Sequence, residues 1–349
     1  MAVARNSVIE AYRILAMFAI VAHHYGVHGG VLKGTGGDNV QNFLLGYSSM
    51  GKWGVDVFVL IGAYFMAQST FRWRGMRAVL IQVWTTSWII LIVALIWLPG
   101  GVSTRTVWRA IAPVSTNYYW FVTVFVMLMI LSPFINILVK AMTRRQHLTL
   151  VGVLFVAWSL LSLVPEVSFG VSNLAWFVEL YLIAAFIARY PLSGTARGWG
   201  AAAIGFAVAV PLTTILAGAA ARAVPVLEIT PGLIRAQESP LVVLAAVCGL
   251  VAATKMRPRV SPAINLVASA AFGVYLIHDN PIIRPLLWKD WVGTVEAVQS
   301  PWLLPLHALL WSLAIYAAAT LIELGRQRLV QRPLMKVGDR LFSPRTSSR

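Results

Sequence analysis

Charged residues are scarce in this chain of 349 residues, of which only 11% are Asp, Glu, Lys or Arg. A soluble globular domain carries about 25%, so the composition argues against a soluble fold. Cysteine is nearly absent as well: Cys248 is the single one, which excludes an intramolecular disulfide and a metal site built from cysteines. The chain also lacks a Walker phosphate-binding loop and a GxGxxG sequence after a strand.

Hydrophobic residues are correspondingly abundant: they make up 59% of the chain, and the mean hydropathy is +0.76. We identify about ten apolar segments, each near the length of about 20 residues that crosses a bilayer as a helix. The sequence therefore predicts an all-α, polytopic membrane protein, with a transmembrane domain over 1–325 and a basic cytoplasmic tail over 326–349. The predicted spans are 8–27, 51–69, 78–98, 118–139, 148–164, 174–190, 200–220, 239–254, 263–283 and 302–324.

Basic residues set the predicted orientation. About 19 of the Lys and Arg residues fall in the N-terminus, the even-numbered connections and the tail, against about 8 on the other side, which predicts that both termini are inside. This rule also explains the net charge of +16, so no nucleic-acid partner is expected, and the basic tail is expected to contact anionic lipid. The glycine-rich segment after the first span is expected to be a plain external connection.

The first predicted span carries four polar residues that a bilayer normally excludes: Glu10, Arg13, His23 and His24. A charge in hydrocarbon costs at least about 2.5 kcal/mol, so such a residue usually faces the protein interior and has a function. Arg13 and His24 fall within about 20° of each other around a helix and roughly 16 Å apart along it. One helix face is therefore predicted to hold a cation and a titratable base. His23 lies about 100° away and is interpreted as structural.

Four segments, in this order along the chain, together resemble the membrane-bound acyltransferase family 3. The first is IEAYRILAMFAIVAHH, which holds Arg13 and His24, and the second is GKWGVDVFVLIGAYF at 51–65, followed by a basic turn. The third, YWFVTVFVMLMILSP at 119–133, is similar to the branch with the enterobacterial common antigen O-acetyltransferase. The fourth is AFGVYLIHDNPII at 271–283. The resemblance covers the chain from about residue 5 to residue 325.

Members of this family move an acyl group, usually acetyl, from a cytoplasmic donor to a sugar hydroxyl of a surface glycan or its precursor. The resemblance thus implies acyl-coenzyme A as the donor, with acetyl as the expected group, and no metal. It implies a saccharide or lipid-linked saccharide as the acceptor, and a location in the bacterial cytoplasmic membrane.

His24 is the first candidate for chemistry, since a neutral imidazole can take the proton of an attacking hydroxyl or accept the acyl group itself. Alternatively, it only hydrogen-bonds a neighbouring helix. Arg13 is predicted to anchor an anion, or to pair with Glu10 three residues earlier and merely permit insertion. Asp56 in the second span is predicted to orient His24 or the donor. Glu179 in the sixth span is interpreted as one half of a structural ion pair.

Coenzyme A carries several phosphate charges, and arginine suits bidentate contacts with phosphate. The resemblance therefore implies that Arg72, Arg74 and Arg77 hold the coenzyme A headgroup, although the positive-inside rule alone would also place arginines in this turn.

Acceptor residues are predicted from the fourth and ninth spans. His278 and Asp279 either shape the acceptor site or form a hydrogen-bonded pair at a helix end. Tyr118 and Trp120 either line a cleft where sugar rings stack or belong to an ordinary interfacial aromatic belt.

A multi-pass transporter, for example a glycan flippase or a proton-coupled permease, would also use intramembrane Glu, Arg and His. However, the two halves show no inverted repeat and no matched pair of broken spans, and the intramembrane charges cluster in the first two spans. A non-catalytic membrane scaffold is a third hypothesis. The acyltransferase is the function that we predict first.

Overall fold

The computed structural model describes residues 5–32, 37–98, 100–167, 169–227 and 230–342. Every regular element within these residues is helical, which confirms the predicted all-α class. Parts of two predicted segments lie outside the described residues: Gly34 and Gly36 of the glycine-rich segment, and residues 343–349 of the tail.

Sixteen α-helices are described, and π or 3₁₀ turns extend three of them. The helices are α1 (Ser7–His28), α2 (Asp38–Tyr47), α3 (Gly51–Ala67), α4 (Trp73–Trp97), α5 (Thr104–Ile111), α6 (Trp120–Ala141), α7 (Arg144–Leu154), α8 (Asn173–Arg189), α9 (Ala196–Ala223), α10 (Thr230–Ile234), α11 (Pro240–Lys255), α12 (Pro262–His278), α13 (Ile283–Pro285), α14 (Thr294–Ala297), α15 (Leu304–Arg326) and α16 (Arg332–Phe342).

Each of the predicted spans overlaps one of these helices. By length and composition, six helical stretches of the described chain can cross a membrane, or seven if α12 and the bent segment after it count as one span. Helices α8, α11 and α12 contain only 17, 16 and 17 residues. The count of ten spans and the orientation of the termini therefore stay predictions.

The helices divide into an interior group and an outer group. Helices α1, α3, α8, α11 and α12 bury residues around most of their circumference. The outer helices α4, α6, α9 and α15 instead expose large apolar side chains, such as Ile92, Phe134, Ile204 and Leu310. Exposed apolar surface on this scale is typical of contact with a membrane.

Close approach between the interior helices depends on glycine. A β-carbon at Gly54 of α3 would collide with the carbonyl oxygen of Ala16 in α1, and one at Gly249 of α11 would collide with the ring of Tyr12. The Tyr12 hydroxyl then donates a hydrogen bond of 3.1 Å to the carbonyl of Ala246. Small residues at such contacts are the usual means of packing membrane helices. They fix α1, the helix of Arg13 and His24, at the centre of the bundle.

A buried ionic network ties α4 to α15. Glu323 is fully buried and accepts two hydrogen bonds of 2.7 Å from Arg326 and one of 2.9 Å from Gln82. The Gln327 amide donates a further bond of 2.9 Å to Glu323, and Arg326 also donates to Thr85 at 2.8 Å. The sequence analysis did not identify this network.

The predicted tail does not begin as a loose segment. Helix α15 continues past residue 325 through a π turn at Gln327–Gln331 into α16, so residues 326–342 are helical. Asp339 of α16 contacts Arg74 and Arg77 at the start of α4. This contact holds the last described helix against the bundle.

Candidate active site

Two histidines form a hydrogen-bonded chain between α1 and α12. Nδ1 of His278 lies 2.6 Å from the carbonyl oxygen of Val274, and because a carbonyl only accepts, this nitrogen donates. Nε2 of a neutral His278 then accepts, and it lies 2.9 Å from Nδ1 of His24. A neutral His24 is left with an unprotonated Nε2. Within the described part of the chain, that atom has no hydrogen-bond partner.

Asp279 lies behind the histidine pair and is only 5% exposed. Its Oδ1 is 3.1 Å from Nε2 of His28, 3.3 Å from the Arg284 guanidinium and 3.9 Å from Nδ1 of His24. A buried carboxylate in this position orients imidazole rings and stabilises an imidazolium when one forms. The sequence analysis missed His28, although its position four residues after His24 places both on one helix face.

The donor set of His24, His28 and Asp279 is also one that divalent transition metals accept, and one ligand atom from each lies within 4.8 Å of the others. However, the Arg284 guanidinium is 3.3 Å from the same carboxylate oxygen, and a fixed cation there opposes a second positive charge. The expectation that the site works without a metal stays a prediction.

A cavity lies beside His24, and we call it the outer cavity. His24 lines it together with Lys52 and Trp120, and Nζ of Lys52 lies 5.1 Å from the centroid of the Trp120 ring. Since Nδ1 of His24 is engaged by His278, Nε2 is the atom that His24 can offer to a molecule in this cavity.

His23 lines the outer cavity as well, but its role is different. Its Nδ1 lies 2.5 Å from the carbonyl oxygen of Ser48, and its ring packs against Gly51 so closely that a β-carbon at residue 51 would collide with it. These contacts fit the structural interpretation of His23.

A second cavity, the inner cavity, lies beside Arg13. Arg5, Gln82 and Ser269 line it too, so a largely apolar wall carries two arginines. The Arg13 guanidinium lies 3.1 Å from Oε2 of Glu10, which is the pairing that helical spacing predicted. Two arginines in one cavity attract an anion, even when one of them has a carboxylate neighbour.

The carboxylate beside His24 is Asp279 and not Asp56. Asp56 is fully buried in α3, and neither of its oxygens has a hydrogen-bond partner among the residues described. Glu179 is also fully buried, and it accepts a hydrogen bond of 3.2 Å from Ser159 where an ion pair was expected. In a chain of many spans, the identity of a carboxylate's partner depends on helix packing, which neighbouring residues do not encode.

The three arginines predicted to bind coenzyme A lie at the start of α4. Arg74 donates to both carboxylate oxygens of Asp339 at 3.1 and 3.2 Å, and Arg77 contacts the same carboxylate. Arg72 is exposed. Carboxylate and phosphate accept the same bidentate arginine geometry. A group of the chain itself therefore holds two of the three predicted phosphate ligands.

The residues predicted to bind the acceptor separate into two groups. Trp120 lines the outer cavity, whereas His278 and Asp279 are buried behind His24. Tyr118 is 4% exposed and donates a bond of 3.4 Å to Oδ1 of Asn280. None of these three buried residues lines the outer cavity: His278 and Asp279 are hydrogen-bonded at the end of α12, which is their alternative interpretation, and Tyr118 contacts Asn280. The sequence analysis had not singled out Asn280.

Comparison with known proteins agrees with the four sequence segments. The family described as "Acyltransferase domain", acyltransferase family 3, matches residues 6–323. No curated protein and no solved structure matches the chain.

Proposed function

The chain belongs to acyltransferase family 3, and we propose that it transfers an acyl group, with acetyl expected, from acyl-coenzyme A to a hydroxyl of a saccharide or lipid-linked saccharide. The observation that carries this proposal is that Nε2 of His24, beside the outer cavity, has no hydrogen-bond partner among the residues that the structure describes. The proposal places the protein in the bacterial cytoplasmic membrane, as a relative of the surface-glycan O-acetyltransferases.

In this proposal the acceptor oxygen attacks the carbonyl carbon of the thioester while its proton moves to Nε2 of His24. The carbon–sulfur bond then breaks, and the sulfur takes up the proton that His24 holds. The products are an ester and the free thiol of coenzyme A. His278 and Asp279 stabilise the transient imidazolium from behind. The same nitrogen of His24 would carry the acyl group if the transfer occurs in two steps.

The cations near the inner cavity support an anionic donor. Arg5 and Arg13 line this cavity, and Arg77 lies near the start of α4, the helix whose Gln82 lines it as well. Phosphate groups of coenzyme A suit arginine ligands. At the outer cavity, the aromatic ring of Trp120 in the lining supports a sugar acceptor, because sugar rings stack on aromatic faces.

The variant His24→Asn tests the proposal sharply. The asparagine amide can still donate to His278 from the position of Nδ1, but it has no atom at the position of Nε2. In membrane vesicles that contain the full chain, radiolabelled acetyl-coenzyme A and cell-surface saccharides, we expect label on a glycan with the wild type and none with His24→Asn.

The matched control is His147→Gln, because His147 is a fully buried histidine away from the outer cavity, and its Nε2 lies 3.0 Å from the carbonyl oxygen of Leu182. This variant is expected to keep the labelling. Label that persists in His24→Asn would contradict the proposal. Saccharide movement across the vesicles without any acylation would favour the transporter instead.

A further inference from the structure

The inner and outer cavities share three of their lining residues. Phe58 of α3, Phe121 of α6 and Phe272 of α12 line both the cavity beside Arg13 and the cavity beside His24. We call these three side chains the phenylalanine neck. They come from three different helices, so the neck lies where α3, α6 and α12 face one another.

Neighbouring rings hold the neck in place. The Phe121 ring is 5.5 Å from Phe177 and 5.6 Å from Tyr275, both in edge-on contacts, and 6.4 Å from Phe272. Phe121 is 7% exposed. Aromatic pairs at these distances and angles attract each other, so the Phe121 ring cannot swing away without losing several contacts. Phe58 and Phe272 are partly buried, since each lines both cavities.

The neck matters because of where the proposed reaction occurs. A thioester that enters beside Arg13 has to rise roughly 16 Å along α1 before its carbonyl carbon reaches His24. The two cavities lie along that route, and the three phenylalanines line both of them. When the carbonyl carbon is beside His24, the acyl group lies in the outer cavity, so additional methylenes press on these rings.

We propose that the phenylalanine neck selects the acyl group by length, admitting acetyl and rejecting longer chains. This inference rests on the proposed function, since it assigns a donor specificity to the same site. The physical basis is steric: cavities packed by rigid rings do not expand to take additional methylenes without displacing those rings. In a close-fitting pocket, two substrates that differ by one methylene are discriminated by about 10- to 200-fold in rate.

Phe58→Ala and Phe272→Ala test the neck, with Phe125→Ala as the matched control. Phe125 lies one turn after Phe121 on the same helix and stacks on it at 5.6 Å, but it lines only the inner cavity. The measurement is the ratio of transfer rates from butyryl- and acetyl-coenzyme A. We expect each neck variant to raise this ratio at least about tenfold and the control to leave it within about twofold. An unchanged ratio in both neck variants overturns the proposal.

A second measurement does not depend on catalysis. Cys248 is the chain's single cysteine, so Cys248→Ser with His24→Cys leaves one thiol, beside the outer cavity. A charged thiol reagent applied from the side of Arg13 should label this thiol slowly. Addition of Phe58→Ala should raise the labelling rate at least about fivefold, and addition of Phe125→Ala should not.

The two measurements separate the two proposals. If the wild type transfers no acyl group from any acyl-coenzyme A, the proposed function fails, and the labelling rates alone decide whether a neck joins the cavities. If the wild type transfers acetyl but the rate ratio does not respond to the neck variants, only the selection by length fails. Absence of labelling from the side of Arg13 in every variant overturns the neck.

Discussion

The cluster around His24 and the network around Glu323 are both buried, polar and packed against α12, yet their hydrogen bonding differs. In the Glu323 network the carboxylate accepts from Arg326, Gln82 and a further amide, and the guanidinium donates to several acceptors. In the His24 cluster one ring nitrogen is engaged by His278 and the other has no partner among the described residues.

This difference separates a structural role from a chemical one. A buried network whose members satisfy one another gains nothing from a ligand and is costly to disrupt. A side chain held firmly on one side, with an unpaired atom at a cavity, can exchange a proton or a covalent bond with a molecule that enters. The burial of a charged or titratable group within a span is therefore a weaker guide to function than the saturation of its hydrogen bonds.

The largest expected effect is on the chemical side of this comparison. His24→Asn should lower the acyl-transfer rate by about 10²- to 10⁴-fold, because general-base catalysis contributes a factor of that size. The midpoint of thermal unfolding in detergent should change little, since the donor to His278 is kept. If His24→Asn loses folded protein to the same extent as it loses activity, His24 has a structural role.

Glu323→Ala should mainly lower the stability of the protein. It leaves the Arg326 guanidinium, 7% exposed, without its carboxylate, and breaking a buried ion pair costs about 3–5 kcal/mol of unfolding free energy. Thermal unfolding of the purified variant measures this loss. Arg328→Ala, an exposed position on the following turn, is the control and should unfold as the wild type does. If Glu323→Ala is fully stable but inactive, the Glu323 network has a chemical role.

Asp279→Asn should have an intermediate effect. The neutral side chain keeps the shape but removes the charge 3.9 Å from Nδ1 of His24, so we expect the transfer rate to fall by about 10- to 100-fold. Acetyl-coenzyme A binding should stay unchanged, which an equilibrium binding measurement checks. Asp290→Asn, an exposed acid nearby in sequence, should keep full activity. An unaffected rate in Asp279→Asn would remove the carboxylate from the proposed mechanism.

Asp339→Asn should produce the smallest change in rate constants. It releases Arg74 and Arg77 from a largely exposed ion pair, so the KM for acyl-coenzyme A should fall by about two- to fivefold if these arginines hold its phosphates. Asp38→Asn removes a comparable exposed pair, with Arg222, and serves as the control. An unchanged KM in Asp339→Asn would indicate that Arg74 and Arg77 do not bind the donor.

The local part of this site could be predicted from the sequence. Arg13 and His24 belong to one helix, so helical geometry alone places them at two depths on one face, and each lines one of two cavities that share residues. The Glu10 pairing follows from the same spacing. The all-α class is also a local property, because it depends on the length and hydropathy of each segment.

The long-range part could not be predicted. The contact of His24 with His278 joins residues 254 positions apart, and nothing in either segment specifies it. Asp56 and Asp279 are both acids in apolar segments, and only helix packing decides which of them reaches the imidazole. The contact between Asp339 and Arg74 escaped prediction for the same reason, because the tail was interpreted from its basic charge and was expected to contact anionic lipid.

Only one ring nitrogen of His24, Nε2, is without a partner among the described residues, and this determines whether the proposed reaction moves charge across the membrane. In the proposed transfer, one atom receives the proton of the acceptor and returns it to the departing sulfur at the same point in the bilayer. Every species that then leaves the site carries the charge with which it arrived, so a catalytic cycle would move no net charge through the hydrophobic layer. Turnover in sealed vesicles should therefore be the same whether or not an ion gradient polarises them.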